Sequence, residues 1–381
     1  MITCIKNVHI VKENEIIFGS IEIESGKIKS IIKGDQEKQS ESEFLYLVPG
    51  FIDLHIHGSN GHDAMDHHNK DSIKEMAKSL VQEGTTAFLP TTMTQSVENI
   101  TKALSNIKAY HASQDKSASK VLGVHLEGPF INVLAAGAQP KECVVYPTIE
   151  QFDAYQTASG NLIKKVSLAP EVKNGLELIK HLKQTGVVAS IAHTKALYQT
   201  VVEAIGCGAT SLTHTYNAMT PLHHRDVGVV GAALLHNELS SELIFDKIHV
   251  SVEAAKILLN AKGVDHLVLI TDSMRAKWLE EGVSELGGQK VYIKNNEARL
   301  EDGTLAGSIL KMIDGYKNLV NDLGLSLVEA SKLASVNPAK ELNVFDRMGS
   351  IDLGKEANFV LLDQSLNIRQ TIIDGNIVYK G

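Results

Sequence analysis

The decapeptide PGFIDLHIHG, residues 49–58, is where the chain changes character. FIDLHI has the apolar weight of a buried strand, yet it carries His55 and His57. Side chains two apart on a strand point to the same face. Both imidazoles therefore leave this strand together, at its C-terminal end. Two buried neutral imidazoles without partners are costly. A divalent cation between them, taking a lone pair from each ring, answers that cost.

Before this segment, residues 1–48 alternate short β-rich runs (ITCIKNVHIV, IIFGSIEIE, KIKSIIKG) with turns, and QEKQSESE, residues 36–43, reads as a polar surface loop. After it, short apolar runs alternate with stretches of helical periodicity. FIDLHI, TTAFLPTT, KVLGVHLEG, VSLAPE, VVASIAHT, ATSLTHTY, SELIFDKIHV and HLVLITDS make eight strands. KDSIKEMAKSLVQEG, closed by Gly84, is the first of the helices between them. Eight β/α units predict a TIM (β/α)8 barrel. Beyond Asp272, residues near 284–303 read as an inserted hairpin with an Asp-Gly turn. Two helical stretches follow, and β texture returns in ANFVLLD, IRQTIIDG and NIVYKG. The expected architecture is α/β: a barrel over residues 49–344, with 1–48 and 345–381 joined into a small β-sandwich domain.

The 381 residues, 43% hydrophobic and 22% charged, suit a large barrel with a small companion and disfavour disorder. A net charge of −8 and a pI near 6.1 argue against a nucleic-acid or acidic-membrane binder, while leaving room for a local anion pocket. No run reaches the apolar length of a membrane span, and MITCIKNVHIVKENEIIFG shows no secretory core. Cys4, Cys143 and Cys207 are scattered, with no CxxC. They suit a reducing cytoplasm and supply no sulfur-rich metal site.

In such a barrel, catalytic groups sit at the C-terminal ends of the strands. His55 and His57 end the first strand, Glu127 the third, His193 the fifth, His214 the sixth and Asp272 the eighth. A single strand-end histidine is more often a satisfied core group than a ligand. Six metal-capable groups on one rim are not six accidents. Nitrogen and oxygen donors without thiolate suit zinc or divalent iron, less often manganese. His125, two before Glu127, reads as support for the ligands. His62, His67, His68, His223 and His224 read as loop residues. GTLAG lacks the GxxxxGK[ST] pattern, so nucleotide binding is not supported.

PGFIDLHIHG, HLEGPF, AHT, THTYNAM, TDS and TLAGS, in this order, resemble the amidohydrolase superfamily and, within it, the N-acetylglucosamine-6-phosphate deacetylase family. The resemblance spans essentially the whole chain. It implies that Glu127, His193 and His214 hold one metal, with Glu127 where many relatives carry a carbamylated lysine. His55 and His57 would hold a second, giving one or two divalent ions, and Asp272 would be the catalytic base. It further implies substrate contacts at Ala138, Gln139, Asn217, Ala218, Arg225, Asp246, His249, Leu305, Ala306 and Gly307. Arg225 would take the phosphate and residues 305–307 the acetyl group. The family's DG-x-H reads Asp246-Lys247-Ile248-His249 here, with lysine in place of glycine. The implied reaction yields acetate and glucosamine 6-phosphate in amino-sugar breakdown or wall recycling, by a cytoplasmic homodimer or larger assembly. The galactosamine epimer is the alternative substrate. Glu127 argues against a cyclic-amide hydrolase. A non-catalytic scaffold would show eroded ligands, and none is eroded.

Overall fold

FIDLHI is buried at every position, and it opens the barrel as the strand Phe51–Ile56. Strands two to eight are Thr85–Thr92, Val124–Glu127, Ile163–Leu168, Val188–Ile191, Ala209–Leu212, Ser240–Ile244 and Leu267–Ile270. They pair in parallel, in sequence order. Asp272 N–H donates to His55 O at 2.8 Å and His57 N–H to Ser273 O at 2.9 Å, which returns the eighth strand to the first. These coordinates are a computed structural model that describes residues 2–34 and 44–381; the QEKQSESE tract lies outside the described residues.

The helices follow from apolar spacing. In Ser72–Leu80, Ile73, Met76, Ala77 and Leu80 recur at 3.6-residue intervals and pack against the barrel wall. A tight turn leads to Gly84, whose φ is 81°. A Cβ there would stand 2.9 Å from both Phe51 and Val360, so only glycine can end this helix between barrel and small domain.

The two chain ends do share a small β domain. Its strands run as one hydrogen-bonded path: Asn376–Lys380, Ile368–Ile373, Phe359–Leu362, Tyr46–Pro49, Ile2–Val11, Ile16–Glu24, Lys27–Lys33. Val8, Ile10, Ile21, Leu47 and Phe359 are in its core. The segment expected as a hairpin is an antiparallel meander of three strands, Gly282–Leu286, Gln289–Lys294 and Glu297–Arg299. Asp302-Gly303 then turns the chain back, with Leu300 N–H on Thr304 O at 2.8 Å. This folds residues 304–307 against the barrel mouth.

One half of the barrel interior is polar. His125 Nε2 meets Ser167 Oγ at 2.6 Å, Ser167 meets Thr213 at 2.7 Å, and Lys165 reaches Ser211 at 2.9 Å. Among the described residues, no helix is long and apolar enough to cross a membrane.

Candidate metal centre and substrate cavity

All six strand-end groups converge. His55 Nε2 and His57 Nε2 are 3.3 Å apart. Asp272 Oδ1 lies 3.4 Å from the first and 3.2 Å from the second. Across the mouth, Glu127 Oε1 is 3.1 Å from His214 Nε2 and 3.4 Å from His193 Nε2, and those two nitrogens are 3.2 Å apart. The triads His55–His57–Asp272 and Glu127–His193–His214 each group their donor atoms closely enough for one ion. Glu127 joins them, since its Oε2 stands 3.2 Å from His57 Nε2.

The donor set fits a divalent cation. Bonds of 2.0–2.2 Å in a tetrahedral shell imply donor–donor edges of about 3.3–3.6 Å, and the observed spacings run close to that. The outer ring nitrogens are oriented accordingly. His57 Nδ1 lies 3.2 Å from Thr91 O, His193 Nδ1 lies 2.8 Å from Ala135 O, and His55 Nδ1 lies 3.1 Å from Glu242 Oε2. Each acceptor draws the proton to Nδ1 and leaves the Nε2 lone pair facing the cluster. His214 Nδ1 finds no acceptor among the described residues.

Electrostatics agree. Burial opposes a charge on His57, but Asp272 and Glu127 outweigh it and push this imidazole up to about 9. His55 is raised well above its ordinary range against burial, by the same two carboxylates. Burial works to raise Glu127 and Asp272, yet the surrounding histidines hold both below the usual carboxylate range. Such a site favours positive charge, whether from protons or from a metal.

The backbone is bent to make this geometry. His193, His214 and Asp272 have φ of 43°, 35° and 47°, in the left-handed region that L-residues avoid. Non-glycine residues in this region cluster at functional sites, where the surrounding fold imposes them.

A cavity of about 280 Å3 opens over the donors. Of the residues expected at the substrate, Ala138, Gln139, Asn217, Ala218, His249, Leu305 and Gly307 line it, beside His57, Glu127, His193, His214 and Asp272. Met93, Leu286 and Thr304 also face it, unforeseen from sequence. Three expected contacts stand elsewhere. Asp246 spends its carboxylate on its own turn: Oδ1 accepts from Ile248 N–H at 2.8 Å and His249 N–H at 2.7 Å, and Oδ2 meets His249 Nδ1 at 2.7 Å. It orients His249 rather than facing the cavity. Ala306 is fully buried, its N–H on Ala298 O at 2.9 Å. Arg225 is exposed on the loop after the sixth strand, outside the cavity of its own chain, with Nη1 2.7 Å from His224 Nε2.

Gln139 is engaged with the cluster as well as the cavity. Its Nε2 donates to Glu127 Oε2 at 2.8 Å, while its Oε1 accepts from Thr94 N–H at 2.7 Å. Lys247 takes φ 67°, the conformation glycine would adopt freely, and sends its ammonium outward to Asp322 at 3.1 Å. It adds no charge to the cavity. His125 has both ring nitrogens occupied, by Leu54 O at 3.1 Å and Ser167 Oγ at 2.6 Å, so it supports the site without ligating.

Two participants escaped sequence reasoning altogether. Glu242, in the seventh strand, accepts from His55 Nδ1 and from His214 N–H at 3.0 Å. Lys165, in the fourth, pairs with Glu242 at 2.6 Å. Each is a charge inside an apolar strand, which is the signal that could have found them.

Comparison with known proteins follows the same line. The sequence model of the Amidohydrolase family matches residues 46–378. The chain is similar to an N-acetylglucosamine-6-phosphate deacetylase of Bacillus subtilis (strain 168), 44% identical over 98% of this chain and 96% of the relative. It is also similar to an N-acetylgalactosamine-6-phosphate deacetylase of Escherichia coli O157:H7, 36% identical over 89% of each. The solved structure of an N-acetylglucosamine-6-phosphate deacetylase from Thermotoga maritima superposes with a TM-score of 0.92, at 35% identity and full coverage of both chains.

Proposed function

The chain belongs to the amidohydrolase family, in its branch of N-acetylglucosamine-6-phosphate deacetylases, and from that premise we propose that it hydrolyses N-acetyl-D-glucosamine 6-phosphate to D-glucosamine 6-phosphate and acetate. The observation that carries the reading is the convergence of two donor triads, one of them including Asp272, at one cavity that five of their six residues line. That cavity, about 280 Å3, is at the small end of ligand pockets and suits a monosaccharide better than a peptide or nucleotide.

Glu127, His193 and His214 would hold one divalent ion and His55, His57 and Asp272 a second, with zinc or divalent iron ahead of manganese for this donor set. A cation held there supplies Lewis acidity, lowering the pKa of water and polarising the amide carbonyl. Asp272, kept ionised by the neighbouring imidazoles, takes the proton of the attacking water and returns it to the departing amine. His249, held by Asp246 through Nδ1, lines the cavity; in its doubly protonated form, which carries an N–H on Nε2 as well, it would donate to the developing oxyanion. Leu305 and Gly307 flank the acetyl group, and Asn217 and Ala218 the sugar phosphate.

The phosphate end is open in a single chain. Leu134, Tyr146 and Leu197 are exposed on loops following the third and fifth strands, and Leu222 on the loop after the sixth that also carries Arg225. These apolar side chains support a homodimer that covers this rim. Unpaired Cys4, Cys143 and Cys207 fit a reducing, cytoplasmic setting for amino-sugar catabolism.

The test is acetate release from N-acetylglucosamine 6-phosphate, its galactosamine epimer and unphosphorylated N-acetylglucosamine in parallel. Preference for the first supports the reading. Preference for the epimer moves the substrate to the alternative. Equal turnover with and without phosphate removes Arg225 from its role, and no turnover of any by the metal-replete protein refutes the deacetylase assignment.

A further inference from the structure

A line of charges that takes no part in the chemistry above crosses the barrel interior. Glu341 lies beneath the barrel, at the end of helix Asn337–Glu341, where Asn337 Nδ2 holds Leu267 O at the start of the eighth strand at 2.7 Å. Glu341 Oε1 meets Lys165 Nζ at 2.5 Å, and Lys165 in turn meets Glu242 Oε1 at 2.6 Å and Ser211 Oγ at 2.9 Å. Lys165 and Glu242 are both 0% exposed. Buried ion pairs of this kind rarely repay their desolvation in stability compared with an apolar pair of the same size.

The hydrogen-bond inventory shows what the line accomplishes. Lys165 donates to Ser211 Oγ and Glu341 Oε1 and lies 2.6 Å from Glu242 Oε1 as an ion pair, so the ammonium holds that oxygen on its own side. Glu242 Oε2 is left to face two groups, His214 N–H at 3.0 Å and His55 Nδ1 at 3.1 Å. A carboxylate only accepts, so when His55 is neutral, as a ligand must be, its proton is on Nδ1. Its Nε2 then has a lone pair aimed at His57 Nε2 and Asp272. His57 and His193 are fixed by backbone carbonyls instead; His55 alone depends on a side-chain charge, and that charge depends on Lys165.

We propose that Lys165 and Glu242 are positioning residues that lock His55 in its ligating tautomer and so determine whether the His55–His57–Asp272 position holds a metal ion. This rests on the metal reading given above.

The test is elemental analysis of the full-length protein after equilibration at defined free zinc, with thermal unfolding of the metal-free forms alongside. In Glu242→Gln, Lys165 claims the amide oxygen and the NH2 is turned on His55 Nδ1. Nδ1 becomes an acceptor, and the proton moves to Nε2, where it blocks ligation. In Glu242→Asp, Lys165 stays neutralised while the shorter arm no longer reaches His55, so this variant keeps the test open if the glutamine form does not fold. For wild type the expected result is two ions per chain. For either variant it is one, with affinity at the second position weakened by about 10–100-fold and the Glu127–His193–His214 ion kept. Variants that melt lower yet hold two ions with wild-type affinity overturn the proposal and leave the pair a structural one. Wild type that saturates at a single ion also overturns it, and wild type that binds none overturns the metal reading itself.

Discussion

Metal binding should expel protons, and the structure says roughly how many. In the metal-free chain His57 is raised from 6.5 to about 9, because Asp272 and Glu127 outweigh the burial that opposes its charge. At pH 7.5 a group of that pKa is about 97% protonated. An arriving divalent ion needs the same lone pair, so His57 must release about one proton, and His55, raised by the same carboxylates, contributes toward a second. The assay is isothermal titration of zinc into metal-free protein at pH 7.5, in buffers of different ionisation enthalpy. The slope of observed against buffer enthalpy is the proton number, expected between one and two. The same linkage fixes a sign for stability. The folded pKa of His57 lies above its unfolded value, so its proton stabilises the metal-free fold fully below about 6.5 and is lost as pH rises through about 9, a span of about 3 kcal/mol. Metal-free protein should weaken over that window and the zinc form should not. A titration enthalpy independent of buffer would refute the reasoning.

Asp272→Asn should lower kcat by about 10²–10⁴-fold with the Glu127–His193–His214 ion retained, checked by turnover and metal content on one preparation. Arg225→Ala should raise KM for the phosphorylated sugar by about 10–100-fold, the worth of a charge-assisted hydrogen bond, and leave turnover of the unphosphorylated sugar unchanged. At position 247 the left-handed backbone disfavours any Cβ. Lys247→Gly should therefore be more stable than Lys247→Ala by about 1 kcal/mol in urea unfolding, and both should keep the wild-type KM, since the lysine faces Asp322.

The barrel was legible because each strand is a short apolar run bounded by a helix of different periodicity. Boundaries were less so. SELIFDKIHV reads as one strand, but the sheet stops at Ile244 because Lys247 turns left-handed to bring His249 over the cavity. KVLGVHLEG divides into Lys120–Val121 and Val124–Glu127. GSILKMIDGYKNLVNDLG, residues 307–324, reads as helical from its start, but Ser308 pairs with Ser273 and the helix begins only at Met312. At the site, the candidate ligands were legible as strand-end residues, a position that sequence encodes directly. The aim of Asp246 and Gln139 was not. Both follow from loop conformation, which decides whether a side chain faces the substrate or a neighbour. Glu242 and Lys165 stayed hidden because an interior position inverts the usual meaning of a charge in a strand.

The proposed general base, Asp272, is not mechanically independent of the wall of the proposed acyl pocket. Asp272 O accepts Ser308 N–H at 2.8 Å, Ser308 O accepts Met274 N–H at 2.9 Å, and a Cβ on Gly307 would stand 3.1 Å from Asp272 O. Residues 272 and 307–308 therefore shift as one piece. For a lineage drifting toward a longer acyl group, room gained by moving this backbone would be charged against proton transfer at the same step. Widening is open instead through the side chains of Met93, Leu286 and Leu305, which line the cavity. Acyl preference in this scaffold should accordingly diversify by trimming side chains while the turn beneath them stays as it is.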